Sequence, residues 1–192
     1  VASSTTVRGS TFDGCSAGKF GGGCGVHNSS VNIYDNTFSN CYSGAVGGGL
    51  ALLNAAATIS ASNFSRTSAV YYGGGLYAEH SRLSVAGTNF SHGLSGQKGG
   101  GMAIWGGSCN IMSTAFRSCT ARAATDVEID ETSSGGGLMV YNARDTASYF
   151  DNLLFHDCAA VRGGGLLIEF STVYITGANF FDCSASSKGG GV

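Results

Sequence analysis

Proline is missing from all 192 residues. Proline removes a backbone donor and is confined to the edges of sheets, so a chain without it suits a fold whose N–H groups nearly all donate in ladders. Charge is scarce as well. Only 11% of residues are charged, against a usual quarter, and the net charge is −2. No basic surface for nucleic acid or for an anionic membrane is implied. Apolar runs of about 20 residues are absent, so this segment is not expected to insert directly into a membrane. No stretch of about 10 residues carries a 3.6-residue apolar period, which leaves no helix to propose. CxxC and His-Cys pairs are absent, against a zinc site.

Repetition fills the space that these absences leave. The triplet Gly-Gly-Gly begins at Gly21, Gly47, Gly73, Gly99, Gly135, Gly163 and Gly189, in steps of 26, 26, 26, 36, 28 and 26. Phe12, Phe38, Phe64, Phe90, Phe116, Phe155 and Phe180 keep the same beat. A fixed period of this size marks a stacked repeat in which each unit buries the apolar face of its neighbour. The first and third residues after each triplet are apolar, as in Leu50 and Leu52 or Met102 and Ile104. Five residues before the phenylalanines stand Ile33, Ile59, Val85 and Ile111. This alternation is that of short strands.

The expected fold is all-β: a right-handed parallel β-helix (solenoid) of about seven coils of about 26 residues, with three short strands per coil. Its hand follows from the preference of parallel crossovers, and its length is about 35 Å at about 4.8 Å per coil. Gly47, Gly73, Gly99 and their triplets serve tight corners, where a Cβ does not fit. The Phe38, Phe64, Phe90 and Phe116 column fills the interior. A phosphate-cradling role for the glycines would need a helix after them. Residues 1–192 read as one β-helix domain, a fragment of a longer solenoid, with an insertion at about 120–134.

Five cysteines, Cys15, Cys41, Cys119, Cys158 and Cys183, each lie three residues after a column phenylalanine. Stacked about 4.8 Å apart, they are within disulfide reach. Cys15 with Cys41, and Cys158 with either Cys119 or Cys183, are the pairs to consider. A ladder of buried free thiols is the other reading. Asn28, Asn63 and Asn89 begin N-glycosylation sequons, and the last two are expected to point outward on successive coils.

The repeated GGG[L/M/C/V] and F-x-x-C motifs, covering nearly the whole chain, resemble the GGA[I/L/V] and F-x-x-N repeats of the chlamydial polymorphic outer membrane proteins. A third glycine stands for the family's alanine, cysteine stands for its asparagine, and Asn40 lies one position early. More broadly, the pattern is similar to pectate-lyase-like right-handed β-helix repeats. The resemblance implies a surface-exposed β-helical passenger used in adhesion.

Two places stand out as sites. The second and fourth residues after each triplet should face outward, yet Leu53, Tyr77, Trp105, Met139, Tyr141 and Leu167 there are apolar. Such a stripe marks an interface with another subunit or another part of the full protein. Cover by local loops, or sugar stacking on Trp105 and Tyr141, are the alternatives. Within the insertion, Asp126, Glu128 and Asp130 fall on one face of a strand and form a weak Ca²⁺ site, or an acidic solvated loop. No other cofactor is expected. The functional expectation is a non-enzymatic extracellular or cell-surface structural and adhesive protein, including a filament-forming subunit. Its partners would be itself, other surface proteins or glycans. The alternative is a polysaccharide-binding or polysaccharide lyase-like module.

Overall fold

The computed structural model describes residues 4–122, 133–144 and 147–192. It is a parallel β-solenoid of about seven turns. Strands at equivalent places in successive turns pair in parallel to form four sheets along its length, three of seven strands and one of six among the described residues. One central turn shows the plan. Ala56–Ser60 belongs to sheet A, Asn63–Ser65 to sheet B, Ser68–Ala69 to sheet C and Leu76–Glu79 to sheet D. The coil thus has four sides where three strands were expected. The extra side arises because the run before the phenylalanine is broken by a left-handed residue such as Ala61, which puts Phe64 on a strand of its own.

The inward positions are those that the alternation predicts. Leu50, Leu52, Leu76, Met102, Leu138 and Val140 in sheet D, and Ile33, Ile59, Val85 and Ile111 in sheet A, are buried in one continuous core. Sheet B contributes the phenylalanines. Phe12 to Phe180 form an unbroken file of seven rings, with neighbouring centroids 4.6 to 5.0 Å apart and planes within 11° of parallel. That spacing is the strand spacing itself, so the register of the sheet imposes the stack. Burying each ring contributes about 2 to 3 kcal/mol.

Corners are turned by single left-handed residues. Among the described residues fifteen of them are not glycine, so glycine is not what the bend as such requires. Asn28, Asn54, Asn142 and Asn152, with Asp35, Asp157 and Asp182, are suited to this conformation because their short polar side chains tolerate it. The triplet corner differs. At Gly48 an added Cβ would stand 2.2 Å from Gly74 O of the next coil, and at Gly49 it would stand 2.7 Å from the Phe64 ring. Close approach of backbone and ring therefore demands glycine here, beyond the positive φ of Gly47.

Serine and threonine after a left-handed corner commonly donate the side-chain proton to the carbonyl two residues back. Ser62 Oγ donates to Ser60 O at 2.9 Å, Ser81 Oγ to Glu79 O at 2.8 Å and Thr114 Oγ1 to Met112 O at 2.9 Å. Asn36, buried in one such corner, is fully used. Its Oδ1 accepts from Ser10 N at 2.8 Å, and its Nδ2 donates to Val7 O at 2.9 Å and Tyr34 O at 3.0 Å. Thr67 is the exception, since its hydroxyl is buried with no partner among the described residues. An unsatisfied buried hydroxyl costs free energy, so Thr67→Val is expected to raise stability by about 1 kcal/mol in urea denaturation. A loss of stability instead would mean that Oγ1 has a partner in solution.

Candidate functional site

The six residues of the apolar stripe do come together, on the outer side of sheet D. They form a second, smaller cluster with Val46, Ala103, Tyr72 and Ala45, separate from the main core. The stripe is not all solvent-facing, however. Tyr77 and Met139 are 5% and 1% exposed, whereas Leu53, Trp105, Tyr141 and Leu167 are half-buried. The reason lies in the segment before each triplet. Phe20, Val46, Tyr72, Lys98, Ser134 and Arg162 bridge from coil to coil as a minimal ladder, and Val46 and Tyr72 pack against the outward side chains.

The aromatic members are linked ring to ring across four coils. Tyr71 meets Tyr72 at 6.2 Å, Tyr72 meets Trp105 at 5.8 Å, Trp105 meets Tyr141 at 4.2 Å and Tyr141 meets Phe170 edge-on at 5.5 Å. Trp105 and Tyr141 are register neighbours in sheet D, which accounts for their contact. The two ends of this path are open to solvent, Tyr71 at 46% and Phe170 at 61% exposed. Arg144 lies 5.4 Å over the Phe170 ring and donates from Nε to Phe170 O at 2.9 Å. Neither Tyr71, Tyr72 nor Phe170 falls at the second or fourth place after a triplet, so the alternation rule passed over all three.

Charges at this face are paired. Tyr77 Oη donates to Glu79 Oε2 at 3.1 Å. Burial first, and the Glu79 charge second, hold that hydroxyl well above the usual phenol range. Arg162 Nη2 sits 2.7 Å from Glu169 Oε1, both side chains 24% exposed. Glu79 and Glu169 occupy one column, but Trp105 and Tyr141 stand between them in register, so they do not act as a carboxylate pair.

Five of the seven cysteines follow the corner rule. All seven are free thiols. The sulfurs of Cys15, Cys41, Cys119, Cys158 and Cys183 each meet the carbonyl two residues back, as a serine or threonine hydroxyl does elsewhere. Cys41 Sγ lies 3.3 Å from Ser39 O and from Phe12 O of the coil before, and Cys119 and Cys158 reach the matching carbonyls at 3.4 to 3.6 Å. Cys109, inward on sheet A, is pushed by burial from an ordinary 9.0 up to about 12. Such a thiol stays protonated and unreactive.

Asn63 and Asn89 are register neighbours on the outer side of sheet B, Asn89 exposed and Asn63 half-buried. Asn28 is exposed at a left-handed corner. Asp126, Glu128 and Asp130 lie outside the described residues. Among the described residues no group of three His, Cys, Asp or Glu side chains is placed to hold a metal ion. Among the described residues no helix is long and apolar enough to cross a membrane. Compared with known proteins, the chain matches no family model, no curated protein and no solved structure.

Proposed function

We propose that this chain is a non-enzymatic structural and adhesive solenoid of the extracellular space or cell surface, which associates through the outer side of sheet D. The observation that carries this reading is the aromatic path from Tyr71 to Phe170. It crosses four coils and ends in two exposed rings, on a molecule with few surface charges to oppose contact. Outward Asn63 and Asn89 agree with a secreted chain. The GGG and F-x-x-C motifs add their resemblance to the passenger of the chlamydial polymorphic outer membrane proteins and, more widely, to right-handed pectate-lyase-like helices. A second copy is the partner favoured here, with filament growth as the extended form. Sugar stacking on Trp105 is less favoured, because Tyr141 at 4.2 Å and Tyr72 at 5.8 Å already flank the indole.

Sedimentation velocity tests the reading. The protein is expected to associate at micromolar concentration. The double variant Tyr71→Ser, Phe170→Ser is expected to weaken association at least about thirtyfold, as loss of aromatic anchors at an interface does. Both side chains lie outside the main core, so the thermal unfolding midpoint should hold. A monomer at every concentration, or a double variant that associates as well as its parent, removes the proposal.

A further inference from the structure

A concavity lies on a different side of the coil, against the outer face of sheet A, with a volume of about 480 Å³. Its floor is one outward column of that sheet: Asn32, Thr58, Ser84 and Asn110, one side chain per coil in strict register. These amides and hydroxyls have no hydrogen-bond partner among the described residues. The contrast with sheet B is informative. There Asp13 accepts from Ser39 Oγ at 2.6 Å and from Asn40 Nδ2 at 2.7 Å, while Asn40 Oδ1 accepts from Arg66 Nε at 2.9 Å. At the edge of sheet B, outward polar groups of the strand and of the corner beside it pair with one another, whereas the column on sheet A has no such pairing among the described residues.

The open column ends at an aromatic wall. Tyr149 follows Asn110 in register, and its ring stacks on Tyr174 of the next coil at 5.3 Å and 16°. With Tyr174 covering one face, the other face of Tyr149, itself 55% exposed, looks back along the floor. Arg82 stands at one side, between the small residues Ala56 and Ser108. It also borders an adjoining hollow with Asn54 and His80. Among the described residues its guanidinium has no ion-pair or hydrogen-bond partner, and no aspartate or glutamate lines the groove.

We propose that this groove binds an extended oligosaccharide bearing carboxylates, with one sugar ring against Tyr149 and a carboxylate against Arg82. Mixed donors and acceptors repeated about every 4.8 Å match the hydroxyls of a chain of sugar rings, which advances by a similar step. The free aromatic face suits the C–H side of a pyranose. The Arg82 cation, in a lining otherwise neutral among the described residues, selects an acidic sugar over a neutral one. This inference goes beyond self-association through sheet D, and the two faces are tested by different residues.

Titration of isotope-labelled protein with hyaluronan hexasaccharide, alginate hexasaccharide and cellohexaose, read by NMR at low salt, decides it. The side-chain amides of Asn32 and Asn110 are expected to shift, with the acidic sugars binding about fivefold more tightly, the scale of an exposed ion pair, and less so as salt rises. Arg82→Gln should erase that preference while leaving cellohexaose binding unchanged. Tyr149→Ala should weaken all three by about tenfold, the scale of one aromatic stacking contact. Unperturbed Asn32 and Asn110 amides at millimolar sugar overturn the proposal, as does an acidic preference that survives Arg82→Gln or a neutral sugar bound best.

Discussion

Replacing Phe90 with alanine is expected to cost about 4 kcal/mol of stability, at the upper end of large-to-small core changes. Phe90 is 1% exposed and sits between Phe64 at 4.7 Å and Phe116 at 5.0 Å. Removing it opens a slot between two parallel rings. Neither ring can slide into the slot, because each is held by the register of its own three-residue strand. The site therefore relaxes little, and the cavity cost is added to the lost burial. The matched control is Phe181, next to a stacked phenylalanine but on the opposite side of its strand and 53% exposed. Phe181→Ala should stay within about 0.5 kcal/mol of the parent. Equilibrium urea denaturation of both variants makes the comparison. Equal losses would show that the file of rings is not where the stability resides.

Gly74→Ala should be worse still. A methyl group there would stand 2.3 Å from Gly100 O and 2.5 Å from Leu94 O, both backbone atoms of the following coil. No flexible side chain can move aside, so the coils must separate at that corner and strain the ladders on either side. The expected cost exceeds about 4 kcal/mol, large enough to lower the yield of folded protein. Gly87 supplies the contrast. It too has a positive φ, of 56°, but an added Cβ would find its nearest heavy atom 4.0 Å away. Gly87→Ala should therefore cost only the left-handed conformation, about 1 to 2 kcal/mol. Gly87→Asn should cost less, since asparagine holds the same conformation at Asn54 and Asn152. Circular dichroism melts and soluble yield rank the three variants. If Gly74→Ala and Gly87→Ala prove alike, coil-to-coil contact is not what the triplets protect.

The period and the inward columns were legible in the sequence because burial selects side chains one position at a time. Leu50, Leu76 and Met102 are apolar for the same local reason, and Phe64 recurs as Phe90 one turn later. The fourth side was not legible, because it depends on the backbone conformation at Ala61 or Arg66, and neither residue type announces a left-handed bend. Alternation assigns Tyr77 and Met139 to the outside of sheet D but cannot foresee that Val46 and Tyr72 pack with them. That packing is a relation between segments remote along a coil. The cysteine column was visible as a column, yet its role became clear only beside Ser62 and Thr114, whose hydroxyls meet the same kind of carbonyl. The groove on sheet A escaped notice because Asn32, Thr58, Ser84 and Asn110 share a place without sharing a residue type.

Nearly every backbone bond outside the strands reaches from one turn to its neighbour, as from Gly74 N to Gly99 O or from Asn63 N to Asn36 O. A lone turn consequently holds almost nothing together by itself. Its size is set by what lies above and below, and the protein can lengthen or shorten only in whole periods. Losing a full period would rejoin each ladder to an equivalent partner. Losing one residue fewer would turn Phe64 and its counterparts toward water and bring Ser65 and its counterparts inside. Growth by duplication is thus open to this architecture, whereas small insertions are tolerated only where they can bulge from a corner.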